Sequence, residues 1–127
     1  MPAPDGDVTA LVNRYIAMWN ETDGVTRRDL IAQTWTEDAS YLDPLMNGDG
    51  RDGIDAMVAG FQQQFQGVRF RRTGEVDAHH GRVRFGWDLA PEDGAPLAGG
   101  VDFGVVVDGR LKAIVGFLDF APAGVGG

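Results

Sequence analysis

The hydrophobic pattern of this chain changes period once, and that change dictates an α+β fold. Val8, Leu11, Val12, Tyr15 and Trp19 recur at spacings of three and four, which marks one buried face of a helix. Asn20-Glu21-Thr22-Asp23-Gly24 breaks the run. A second helix follows, with Thr26 and Asp29 resembling a capping box and Leu30, Ile31, Thr34 and Trp35 on its inner face. Ser40-Tyr41-Leu42-Asp43 is a short extended run, and Met46-Asn47-Gly48-Asp49-Gly50 reads as a polar loop. A third helix begins near Asp52 and carries Ile54, Met57, Val58, Phe61 and Phe65 on one stripe. From Val68 onward the period falls to two: Val83, Phe85, Trp87 and Leu89 alternate with Arg84, Gly86 and Asp88. His79-His80-Gly81-Arg82 reads as one hairpin turn. Asp108-Gly109 is a stronger one, joining strands over about 97–107 and 110–120. Three helices followed by a meander of long antiparallel strands predicts helices packed on one face of a curved sheet. The chain is 127 residues long, which fits one domain over 7–120. The Pro-, Gly- and Ala-rich stretches 1–6 and 121–127 read as loose tails.

Charge and composition exclude several functions. A net charge of -8 argues against nucleic acid and against docking on anionic membranes, both of which demand a basic surface. With no cysteine there is neither a disulfide framework nor a thiolate metal site. The two histidines, His79 and His80, are too few for an ordinary zinc site, so neither metal nor cofactor is expected. Met1-Pro2-Ala3-Pro4-Asp5-Gly6-Asp7 lacks a basic start and an apolar segment, and no run of about 18 apolar residues exists. A cytoplasmic protein is the expectation.

Three polar residues stand where apolar ones belong. Asp102 lies inside Val101-Asp102-Phe103-Gly104-Val105-Val106-Val107, and a carboxyl on such a strand is costly unless paired, neutral or functional. Its ordinary alternative is a solvent-facing position on a half-exposed strand. Asp43, fixed by Pro44, sits at the end of an extended run, where an Asx turn is the ordinary explanation. Tyr15 falls on the core stripe of the first helix, and a buried phenol needs a partner for its hydroxyl. Trp19, Phe61, Trp87 and Phe117 read as core or as the wall of an apolar pocket. His79 and His80 belong to a turn at the surface; His80 is the choice for an auxiliary acid or base if one reaches the pocket. Arg69, Arg71, Arg72, Arg82 and Arg84 alternate along neighbouring strands as a face paired with acids.

The layout of two helices, an Asp-Pro loop, a third helix and then a long sheet resembles the nuclear transport factor 2-like (cystatin-like) superfamily, over residues 8 to 120. Within it the chain is most similar to the SnoaL-like polyketide cyclase and ketosteroid isomerase branch. Arg14-Tyr15 resembles the pair that supplies the isomerase's oxyanion tyrosine. Asp43-Pro44, after Glu37-Asp38-Ala39, resembles the stretch carrying its general base, and Asp102 in Val-Asp-Phe resembles its second oxyanion donor. In the cyclase branch a strand Asp at about this place is the acid/base instead. The resemblance implies a cone-shaped curved sheet around an internal cavity. It departs from the isomerase in the His79-His80 pair and in tyrosines: Tyr41 is expected to face a different element, leaving no extended chain of phenols. Gly86 before Asp88 and Gly100 before Asp102 replace the arginine that epoxide-opening relatives place there.

These readings converge on a cofactor-free enzyme that moves protons through an enolate on a hydrophobic carbonyl compound, by isomerisation or cyclisation. Asp43 would be the base, with Tyr15 and Asp102 at the oxyanion; in the cyclase variant Asp102 would be the acid/base. A noncatalytic module that binds a hydrophobic small molecule or a partner protein is the rival. An enzyme requires both carboxyls in one cavity with at least one hard to ionise, a binding module requires them exposed or paired with arginines, and a dehydratase requires a His–Asp pair inside. The Val101–Val107 strand is apolar on both faces, which points to a homodimer through the outer sheet face.

Overall fold

The computed structural model describes residues 5–121. Its elements are α1 (Asp5–Asn20), α2 (Gly24–Thr34), β1 (Trp35–Leu42), β2 (Asn47–Asp49), α3 (Gly50–Gln64), β3 (Val68–His79), β4 (Arg82–Pro91), β5 (Ala98–Val107) and β6 (Arg110–Phe120). The six strands form one sheet in the order β2-β1-β6-β5-β4-β3, antiparallel except where β1 runs parallel to β6. The expected tails 1–6 and 121–127 lie mostly outside the described residues, although Asp5 and Gly6 open α1.

The helices cover one face of the sheet. α1 buries Leu11, Val12, Tyr15, Met18 and Trp19, the stripe its three-and-four spacing requires, and α3 buries Ile54 and Val58. These meet Trp35, Ala39, Tyr41, Val83, Phe85, Leu111 and Ile114 in a single core. α2 is tied to α3 by Arg27, a buried guanidinium whose Nε donates to Asp55 Oδ1 at 2.6 Å and whose second nitrogen reaches Glu21 O and Gln62 Oε1.

Several local boundaries differ from expectation. α2 is capped by Asp23, whose carboxylate accepts from Thr26 N (2.9 Å) and Thr26 Oγ1 (2.7 Å), so Thr26 is the capped donor rather than the cap. The helix ends one residue before Trp35, which opens β1 fully buried; β1 is therefore twice as long as the run from Ser40 to Asp43. Within the expected polar loop, Asn47–Asp49 pairs with β1 as β2, and α3 starts at Gly50. Short polar stretches like this one carry no alternation of their own, so only the neighbouring strand defines them.

The two hairpin turns fall where the sequence places them. His80 and Gly81 have φ of 49° and 74°, and Asp108 and Gly109 have 51° and 77°, the left-handed conformations of a two-residue turn that matches strand twist. The strands flanking Asp108-Gly109 are not in simple register, however. Val106 pairs with Leu111 but Val105 pairs with Ala113, so Lys112 is an extra residue in β6. Such a bulge reverses which side chains of the strand face inward. Leu111 is inward before it; Ile114 and Gly116 are inward after it. Phe117 consequently lies on the outer face, 52% exposed, in edge contact with Phe103. The pocket-wall expectation for Phe117 is corrected: counting alternate residues from Leu111 points it inward, and the bulge turns it out.

Candidate active site

Strand register assembles the site. Asp102 on β5 lies opposite Phe85 of β4 on one side and Gly116 of β6 on the other. On the far side of β6, Leu42 of β1 pairs with Val115, which brings the next residue, Asp43, beside Gly116. A methyl group built on Gly116 would stand 2.7 Å from Asp102 Oδ1, 3.3 Å from Asp43 Cβ and 3.5 Å from Tyr41 Oη. The missing side chain is what lets these three groups share one space.

That space is the polar end of a cavity of about 830 Å³ between α1, α3 and the concave face of the sheet. Tyr15, Tyr41, Asp43, Trp87 and Asp102 stand at this end, and Trp19, Met57, Phe61, Phe65, Phe70 and Leu97 contribute apolar wall. Asp102 is only 3% exposed. Tyr15 Oη donates to its Oδ2 at 2.7 Å, and Trp87 Nε1 donates to its Oδ1 at 3.0 Å. Burial pushes the Asp102 carboxyl up to about 7; the Tyr15 and Trp87 hydrogen bonds oppose that rise, and the nearby Asp43 charge adds to it.

The phenols respond in the opposite functional sense. Burial, then the Asp102 charge, pushes Tyr15 well above the ordinary phenol range. Tyr41 is pushed up by burial and then by Asp102 and Asp43. Both therefore keep their protons near neutral pH and act as donors. Tyr41 Oη donates to Asp43 Oδ2 at 2.5 Å, while Asp43 Oδ1 accepts from Leu45 N (2.7 Å) and Met46 N (2.8 Å). Asp43 thus makes the Asx turn that its Pro-flanked position allows and lines the cavity at the same time.

Of the residues singled out by sequence, Tyr15, Asp43, Asp102, Trp19, Phe61 and Trp87 line this one cavity. Phe117 and His80 do not. His80 occupies the β3–β4 turn in a left-handed conformation, exposed, with its ring against His79. A His–Asp pair inside the cavity is absent among the described residues, which removes the dehydratase reading. Neither carboxyl forms an ion pair; arginines of β3 and β4 pair instead with Asp88 and Asp77. Tyr41 corrects a second expectation, since it faces the same cavity as Tyr15. Its signal was present in its position two residues before Asp43, on the same side of an extended strand. Gly116 had no signal short of the bulge.

The sequence pattern of the SnoaL-like domain matches residues 12–114. The chain belongs to the SnoaL-like family. A protein provisionally described as an isomerase of that family from Agrobacterium tumefaciens strain C58 is 41% identical, with 91% of this chain and 99% of that chain covered and a TM-score of 0.86. Two more distant structures share the fold: one provisionally described as a ketosteroid isomerase from Kribbella flavida (23% identity, 91% and 80% covered, TM-score 0.67), and one as a polyketide cyclase from Sinorhizobium meliloti (15% identity, 90% and 99% covered, TM-score 0.68). Among curated proteins none matches the chain. The family and the six-stranded curved sheet agree with the resemblance drawn from the sequence, and no helix among the described residues is long and apolar enough to cross a membrane.

In this SnoaL-like domain the buried carboxyl predicts a pH-dependent stability. Asp102 holds its proton up to about 7 when folded but releases it near 4 when unfolded. The native state thus gains relative stability at low pH and loses it as pH rises through 7. At ~1.4 kcal/mol for each pH unit between the two values, the full loss is about 4 kcal/mol. Asp102→Asn keeps acceptor and donor capacity for Trp87 and a rotated Tyr15 hydroxyl, and removes the titration. Urea unfolding should therefore show the variant gaining on the wild type by about 4 kcal/mol between pH 4 and pH 8. A difference that stays flat across that range refutes the buried titration.

Proposed function

We propose that this protein catalyses proton transfer through an enolate on a hydrophobic carbonyl compound, isomerising or cyclising it, with Asp102 as the acid/base. The observation that carries this reading is the Asp102 carboxyl, buried in an apolar cavity with a Tyr and a Trp donor and pushed up to about 7. A group poised there is ionised often enough to take a proton and basic enough to make the transfer favourable. The base is assigned to Asp102 in preference to Asp43 because three of Asp43's acceptor positions hold its own turn and Tyr41.

The step runs as follows. Asp102 removes a proton from the carbon beside the carbonyl, and the electron pair moves onto the carbonyl oxygen. Once Asp102 is neutral, Tyr15 no longer stabilises a charge there and its O–H turns to the enolate oxygen, with Tyr41 as a second donor. Asp102 then returns the proton at a different carbon, completing an isomerisation. In a cyclisation the enolate carbon attacks a second carbonyl and the proton goes to the new alkoxide. The cavity wall of Trp19, Phe61 and Trp87 is apolar and fits an apolar skeleton.

The competing reading is a binding module for a hydrophobic molecule. It is disfavoured by two carboxyls that share one cavity, unpaired with any arginine. Deuterium uptake from heavy water at acidic carbons, followed by NMR over cyclic enones, steroid ketones and β-ketoesters, distinguishes the two. Catalysed uptake should fall about 10³-fold in Asp102→Asn and far less in Asp43→Asn. Ligand binding with no catalysed exchange across the panel sinks the enzymatic reading, and a larger loss in Asp43→Asn moves the base to that residue.

The same proposal places a second copy of the chain on the outer sheet face, where Phe103, Val107, Val115 and Phe117 are exposed together. Sedimentation at micromolar concentration should give the mass of two chains, and Phe117→Asp should halve it. A wild type that sediments as one chain removes the dimer.

A further inference from the structure

The cavity contains negative charge and nothing to balance it. Asp43 and Asp102 line it, yet none of the chain's 11 Lys and Arg residues and neither His does. Five cations pair with carboxylates that do not line the cavity: Arg27 and Arg28 with Asp55, Arg71 with Asp88, Arg84 with Asp77 and Lys112 with Asp38. The donors that reach the two carboxyls are a pair of phenols, an indole and two backbone N–H groups, all neutral. A carboxylate accepts about four hydrogen bonds, so Asp43 keeps one acceptor position and Asp102 keeps two.

From this end the aromatic rings run on in continuous contact along the cavity. Tyr41 touches Trp19 (5.5 Å between ring centroids), Trp19 touches Phe61 (5.6 Å) and Phe70 (5.0 Å), and Phe70 touches Trp87 (5.5 Å). Ring faces attract cations and repel anions, most strongly where water is excluded. A carboxylate or phosphate entering this space would meet the carboxyls of Asp43 and Asp102 and an apolar aromatic wall, with no counterion. An ammonium ion would find the free acceptor positions of the two carboxyls, and the apolar part of the same molecule would find the aromatic wall.

We propose that the ligand of this cavity is a hydrophobic amine, with its ammonium ion at the Asp43–Asp102 end and its apolar part against the rings of Trp19, Phe61 and Phe70. This rests on the cavity being the substrate site, and narrows the carbonyl compound to an amine-bearing one. It also gives binding a role in activation. A cation near Asp102 favours its ionised form, so the base is charged when the substrate is present. The overall charge of -8 draws cations toward the protein from a distance.

Three ligands on one skeleton test this: 2-(2-naphthyl)ethylamine, the matching alcohol and the matching carboxylic acid. Calorimetric titration at about pH 8 should show the amine binding about tenfold tighter than the alcohol, a modest margin because burying an ammonium ion costs hydration. The acid should bind at least about tenfold more weakly than the alcohol. In an Asp43→Asn, Asp102→Asn double variant, checked for native fold by circular dichroism, the amine should lose its advantage. Alcohol binding as tight as the amine, acid binding equal to the alcohol, an advantage that survives in the double variant, or no saturation by the amine below about 1 mM overturns the proposal. The outcome is separable from catalysis: exchange on neutral ketones without an ammonium preference refutes this inference alone, whereas an ammonium preference without any exchange refutes the enzymatic reading alone.

Discussion

A carboxyl group at 3% exposure must be neutral or surrounded by donors, and Asp102 is held near the balance between the two. Everything around it serves that balance. α1 supplies the Tyr15 hydroxyl, β4 supplies the Trp87 indole, β6 withholds a side chain at Gly116, and the end of β1 brings Asp43 close enough to add its charge. Four elements distant in sequence meet at one group. Such a position is unfavourable for stability at neutral pH, and carboxyls perturbed in this way cluster at functional sites.

The sheet separates two environments by alternation alone. Along one row, Asp77, Arg84, Phe103 and Val115 lie side by side across β3 to β6 and face outward. One residue along, Phe85, Asp102 and Gly116 face the cavity. Charged pairs and exposed aromatics therefore occupy one surface, and the buried carboxyl and apolar wall the other. The lysine bulge in β6 is the device that makes the rows agree, because without it Asp102 would oppose Val115.

Much of this was legible from the chain. The period change located the helices and long strands, and the core stripe of α1 followed from spacing. Asp102 announced itself as a carboxyl inside an apolar strand, and Asp43 by its place before Pro44 at a strand end. What escaped detection depended on long-range register. Counting back from the Asp108-Gly109 turn places Val115 opposite Asp102; the extra residue at Lys112 puts Gly116 there and sends Phe117 outward. The inward side of Tyr41 is fixed by the Trp35–Ala39 segment of β1, and a strand starting at Ser40 lacks that segment. The alternation of β4 marks Trp87 as wall, but its hydrogen bond to Asp102 depends on a partner two strand positions away on β5. Local pattern sets which faces exist, and pairing between strands decides who meets on them.

The proposed chemistry depends on one carboxyl, Asp102, changing charge near neutrality. Carbon-13 NMR of aspartate carboxyl groups, titrated across the stable pH range in wild type and Asp102→Asn, measures it directly. One resonance should titrate with a midpoint of about 7 and be missing from the variant. If every aspartate resonance instead titrates below about 5, Asp102 is an ordinary ionised carboxylate and the proton-transfer assignment fails.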